Sequence, residues 1–255
     1  MDSKAITCLY LTLLSTGLLR GAPVWSAQSS TEVITVDDPR PLGRAIEELE
    51  KRHGWVVTYE DPPYEFVADI RDVTQAVRKD YDQSKPRVLV PGGGALTFNY
   101  SVDTLGNADA LSVLPALLNS YHLSGNPGVF RLLRTGTMFH VIPAMSNNAQ
   151  GALESRQSLL DVSITVDNGN GTALQALENI LGAVSQSTRT SVTVGTVPLN
   201  LLVQTKVNRG AVKESARAVL MRTLAATNRA LSWRLLCQPR ANSCAFNVHV
   251  VESPK

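Results

Sequence analysis

Two cysteines near the end of the chain, Cys237 and Cys244, carry the most specific chemical signal. Period-two alternation puts Trp233, Leu235 and Cys237 on one face of a strand, and Cys244, Phe246, Val248 and Val250 on one face of the next. Pairing 237 with 244 sets 238 opposite 243 and leaves 239–242 as a loop, which suits Pro239 because it has no N–H to give a ladder. In that register 237 and 244 form a non-hydrogen-bonded pair, with Cα atoms about 4.5 Å apart. That is near the short end of the disulfide range. A cross-strand disulfide is expected; the alternative is two cysteines serving as small apolar side chains.

Other reactive residue types lack a productive spacing. His53, His122, His140 and His249 are scattered, with no His-x-x-x-His pair and no His-Glu metal motif. No metal site, cofactor or His-dependent catalysis is expected from them. Gly92-Gly93-Gly94 lacks the Lys-Ser or Lys-Thr of a phosphate loop and reads as flexible loop. Ser124 has a glycine beside it but no Gly-x-Ser-x-Gly elbow, so it reads as a turn. Asp69 and Asp72 flank Arg71 as surface acids would. The aromatic run Trp55, Tyr59, Tyr64 and Phe66 surrounds Glu60, Asp61 and a rigid Pro62-Pro63 pair. Tyr59, Tyr64 and Phe66 are candidates for a surface that holds a sugar or a peptide. The competing reading, which the pattern favours, puts Trp55 and Tyr59 in a core and keeps Tyr64 on the surface.

These residues must be held by a recognisable series of elements. Thr172 and Gln175 form a capping-box pattern, and Leu174, Leu177, Ile180, Leu181 and Val184 follow at helical spacing. A strand over 160–166 precedes that helix, with a turn at 167–171, and a strand over 191–194 follows it. A further strand is predicted over 199–207, then a helix opened by Gly210 with Val212, Ala216, Val219, Leu220 and Leu224 on its apolar side. Asn228 stops it, and 231–238 with 244–251 close a hairpin. The same order appears earlier. A strand at 33–36 leads to a helix over 41–53, with Asp37 and Asp38 as caps, Pro41 in its first turn and Gly54 as its stop. A strand at 55–59 follows, then a strand at 95–102, a helical stretch at 107–121 interrupted by Pro115, and a hairpin of 130–134 with 138–142.

Two short landmarks recur: Phe130-Arg131-Leu132-Leu133 matches Trp233-Arg234-Leu235-Leu236, and 139–142 resembles 248–251. A fixed order with matching landmarks points to duplication, with chance similarity of short hairpins as the alternative. The expected architecture is α+β: two tandem small βαβ-βαβ-type modules, each with a closing hairpin. The first module spans 31–145, with an inserted exposed loop at about 65–94. A linker covers 146–157, and the second module spans 158–252.

The start of the chain reads as an export signal. Lys4 is followed by an apolar run over 5–19, broken at Arg20 to Pro23, with small residues near Ser26 and Ala27. The run is shorter than the ~20 residues of a spanning helix. Residues 1–27 are therefore expected to be a cleaved signal peptide, placing the protein in the periplasm or outside the cell, where disulfides persist. The chain carries 24 Lys and Arg against 22 Asp and Glu; without Lys4, Arg20 and Asp2 the balance is 22 to 21. That near-neutrality argues against a nucleic-acid partner.

The second half resembles the short N-terminal domain of secretins and TonB-dependent receptors. The likeness rests on the Ala- and Leu-spaced helix, the short strand ending near Pro198, and Gly210 ahead of Ala216-Arg217-Ala218-Val219-Leu220. Leu224 and Leu231-Ser232-Trp233-Arg234-Leu235 complete it. In the first half it covers only the helix over 41–53 and the hairpin at Phe130. The resemblance implies a periplasmic βαβ-βαβ module that docks a protein partner in the cell envelope and has no catalytic residues. Secretins and receptors continue into an outer-membrane barrel, whereas this chain ends at Lys255, so the likeness implies a module and not a transport activity. The alternatives are a binding protein for a small ligand or cell-wall fragment, using a cleft between modules, and a hydrolase with an unrecognised site.

Overall fold

A computed structural model of the chain describes residues 30–80, 82 and 84–253. The expected signal segment, residues 1–27, lies outside the described residues. In chain order the elements are β1 (Ser30–Asp37), α1 (Pro41–His53), β2 (Val57–Glu60), β3 (Ile70–Asp72), α2 (Thr74–Val77), β4 (Leu89–Pro91), β5 (Ala95–Val102), α3 (Ala110–Leu123), β6 (Val129–Thr135), β7 (Met138–Asn147) and β8 (Leu153–Ser155). The second half adds β9 (Ser163–Thr172), α4 (Ala173–Thr188), β10 (Ser191–Val194), α5 (Leu199–Gln204), β11 (Lys206–Ser215), α6 (Ala216–Ala225), β12 (Leu231–Cys237) and β13 (Ser243–Val250). This is an α+β protein with a mixed seven-stranded sheet and three smaller two-stranded sheets among the described residues.

The helices form where apolar spacing and end chemistry agree. In α1, Leu42, Ala45, Ile46 and Leu49 are buried, and Gly54 ends the helix in the left-handed conformation, its N–H on the Glu50 carbonyl at 2.8 Å. Asp37 and Asp38 do not cap it: Arg40 holds the N-cap position, and Asp38 instead accepts from the Arg40 N–H at 2.7 Å, closing an Asx turn before Pro41. In α4 the capping box forms in full, with Thr172 Oγ1 accepting from Gln175 N and Gln175 Oε1 from Thr172 N.

The large sheet runs β10-β13-β12-β2-β7-β6, with β8 extending beside β7. One order of pairing occurs in both halves. β1 lies antiparallel to β5 as β9 does to β11; β2 lies parallel to β7 as β10 does to β13; β6 and β12 lie antiparallel to β7 and β13. The halves meet where β12 runs parallel to β2, Arg234 opposite Tyr59 and Leu235 opposite Glu60. Opposed residues share a face. Tyr59 belongs to the core under α1 and α3, and Leu235 to the core under α4 and α6. The two helical layers therefore cover opposite faces of one sheet.

Several expectations need correction. The segment 199–207 is strand only from Lys206, where β11 begins: α5 occupies Leu199–Gln204, and one helical turn sinks Leu202 fully into the core. The turn expected at 167–171 is the end of β9, paired in register with Lys206 to Arg209. Gly210 does not open a helix. It lies in an irregular stretch of β11 at φ 152°, where a Cβ would fall 1.9 Å from Asn168 Oδ1. Val212 is 70% exposed on that strand, and α6 begins at Ala216 under the Ser215 cap. The inserted segment is not open loop throughout: β3 pairs with β4, and a Cβ on Gly93 would meet the Pro39 carbonyl at 2.5 Å and one on Gly92 the Asp69 backbone at 2.9 Å, so Gly92 and Gly93 are tightly packed backbone. Part of the linker is strand, since β7 runs to Asn147 and pairs there with β8.

Candidate functional site

The seam around β2 concentrates the buried charge. Glu50 on α1 projects from the apolar stripe one turn after Ile46, so its carboxylate is carried inward to the sheet. Glu50 Oε1 accepts from Val57 N at 3.1 Å, and Oε2 receives Arg234 Nη2 and, at 3.1 Å, His249 Nε2. Arg234 Nη1 and Ser232 Oγ both donate to the Val57 carbonyl at 2.7 Å. Burial pushes the Glu50 carboxyl up. The His249 hydrogen bond and the charge of Arg234 outweigh that and hold it below the ordinary glutamate value.

One residue pair further along, Glu60 meets Arg217 Nη1 and the Ser158 hydroxyl, while Arg217 Nε reaches Asp161 at 3.0 Å. Asp61 accepts four donors: Tyr59 OH at 2.9 Å, Tyr64 OH at 3.0 Å, Arg40 Nε at 2.6 Å and Cys237 N at 2.9 Å. Burial raises the Asp61 carboxyl, and Arg40 offsets only part of the rise. Every carboxylate of the seam is occupied by fixed donors. These contacts join the two halves of the chain.

Two other features face solvent. A cleft of about 810 Å³ lies on the sheet face away from α4, with Arg234 and Leu236 in its floor and Glu47, Lys51, Asn247 and His249 around it. Among the described residues the sheet also ends in two open edges, since there β6 pairs only with β7, and β10 only with β13. The two-residue turn from Thr135 to Met138 makes 135, 133 and 131 the bonded positions of the hairpin, so the N–H groups of Leu132 and Arg134 point outward.

Of the aromatic candidates, Tyr59 lies in the core, as the favoured reading has it, and Tyr64 is corrected from surface to core. Tyr59 is 1% and Tyr64 4% exposed; their rings fill the core around Asp61 and offer no surface to a ligand. Phe66 is half-buried, its ring close over Gly151. Cys237 and Cys244 form the disulfide, opposite each other in the ladder with Cα atoms 4.0 Å apart, and Gln238 N donates to the Ser243 carbonyl as the register requires. The histidines stay apart: His53 stacks on Trp55 and bonds the Tyr100 hydroxyl, His122 is exposed, His140 bonds Thr58 and stacks on Trp233, and His249 meets Glu50. Asp69 accepts from Asn147 Nδ2, and Asp72 from Thr74 N. Sequence reasoning missed Glu50, Arg217 and Arg234 as a set. The available signal was a charged residue inside an apolar stripe or strand three times over.

Among the described residues no helix is long and apolar enough to cross a membrane. Comparison with protein-family models, curated proteins and solved structures finds no match to this chain.

Proposed function

We propose that this chain is a non-catalytic interaction protein of the cell envelope, built from two tandem modules similar to the short N-terminal domain of secretins and TonB-dependent receptors. The observation that carries this reading is the recurrence of one pairing order in both halves, ending in open edge strands. Trp233, Arg234 and Leu235 stand on β12 where Phe130, Arg131 and Leu132 stand on β6, as judged from their partners on β13 and β7. An edge strand with outward amides binds a partner strand through backbone hydrogen bonds, with flanking side chains supplying specificity. The disulfide fits an oxidising compartment outside the cytoplasm. The test is capture from detergent-solubilised envelope by the intact chain and by Arg134→Pro, which removes an outward amide of β6 and leaves the β6–β7 bonds in place. A protein retained by the first and lost by the second supports the reading; equal capture by both removes β6 from it.

A second reading has its own observation. The cleft over Arg234 and Leu236 is large enough for a small ligand. Thermal shift with cell-wall fragments and short peptides tests it, and a stabilisation abolished by His249→Ala would favour it over strand docking.

A further inference from the structure

The way the two halves are joined leaves the sheet able to continue. Across the sheet the strand directions run up, up, down for β10, β13, β12 and down, down, up for β2, β7, β6. The order of equivalent strands is kept while direction and covered face are both reversed. That relation is a half-turn about a line crossing the strands, with an advance of three strands, about 14 Å. It does not close on itself. The strand type used at the junction on one side, β12, is free at the far end as β6, and the type used on the other, β2, is free as β10. A head-to-tail contact of this kind propagates when the two free surfaces fit.

The positions of the free surfaces correspond to those of the joined ones, with different side chains at several of them. Counting from the left-handed residues that end α1 and α4, Gly54 and Arg189, Ser185 holds the place of Glu50. Ser185 Oγ accepts from Val192 N at 2.8 Å as Glu50 accepts from Val57 N, so this cap is compatible with pairing that starts two residues later. Counting from the caps Asp109 and Ser215, Leu111 holds the place of Arg217, and Gly195 that of Glu60. The buried ion pair of the junction thus has an apolar counterpart at the free ends. Leu111 is 52% exposed. Resting on the interaction reading above, we infer that the partner of the β6 edge is the β10 edge of a second copy of this chain, in the β12–β2 register. Arg131 would then stand opposite Val194, as Arg234 stands opposite Tyr59.

The test mixes two purified single-cysteine variants with the native disulfide intact, Arg131→Cys and Val194→Cys, and adds a short bismaleimide. A cross-linked dimer is expected in the mixture and in neither variant alone, with its yield rising with concentration. Adding Arg134→Pro or Leu111→Glu to the first variant should lower that yield about tenfold, as loss of a single good contact does. Circular dichroism and melting of each variant establish that it is folded. No dimer in the mixture, together with a strictly monomeric mass from light scattering at every concentration, would overturn the inference. Retention of a foreign envelope protein by the same edge, with no dimer, would overturn self-association and leave the interaction reading standing.

Discussion

Arg234 on β12 and Glu50 on α1 form a buried ion pair that ties the second half of the chain to the first. The same guanidinium also holds the Val57 carbonyl, so one side chain satisfies both an acid and a backbone oxygen across the seam. Removing one partner leaves the other charge buried and unpaired. Arg234→Ala is expected to cost about 3–5 kcal/mol. Urea denaturation reads this directly, and a loss under 1 kcal/mol would show that water reaches Glu50 freely.

His140 gives the protein an acid-sensitive element. Burial, reinforced by the Arg217 charge, pushes its imidazole down to about 4. Above the ordinary value of 6.5 the ring is neutral in both states and contributes nothing. Between 6.5 and about 4 the unfolded chain binds a proton that the native one does not, so stability falls as pH falls. The full loss is of order 3 kcal/mol. Glu50, held low, adds to acid lability only below the ordinary glutamate range. Stability measured from pH 7 to 4 should decline in the native chain and flatten in that window in His140→Gln.

The disulfide closes a short loop, so its contribution is modest, about 2 kcal/mol. Protein purified without reductant should resist alkylation until reduced, then take up two labels at Cys237 and Cys244. Reduction should lower the unfolding midpoint without abolishing the fold, because both sulfurs sit in a core already built around Trp233 and Phe246. Two free thiols before reduction would contradict the bond.

Local order was readable from local signals. The spans of α1 and β5 follow from Pro41, Gly54 and strict alternation from Leu96 to Val102, and the 237–244 register follows from Pro239. What escaped was set by distant contacts. Leu199 to Gln204 has no apolar alternation or spacing that separates strand from helix, and burial of Leu202 decides it. The landmark at Phe130 and Trp233 holds in register. The second does not: Phe139 lies opposite Val57 and Cys244 opposite Val192, so 139–142 corresponds to 244–247 and not to 248–251. The junction rests on two opposed pairs, each 175 residues apart in the chain, and no periodicity encodes that. Tyr64 escaped because its hydroxyl reaches an aspartate, Asp61, that is itself inside.

The central claim is that the exposed edge of the sheet binds protein. Photo-crosslinking in the expressing cell tests it most directly, with benzoylphenylalanine at Arg134 on β6 and, as a control, at the exposed Lys213 on β11. Irradiation should give a discrete protein adduct, from this chain or another, at position 134 and none at 213. Adducts of equal yield at both positions, or none at 134 in cells where the chain is abundant, would contradict the account.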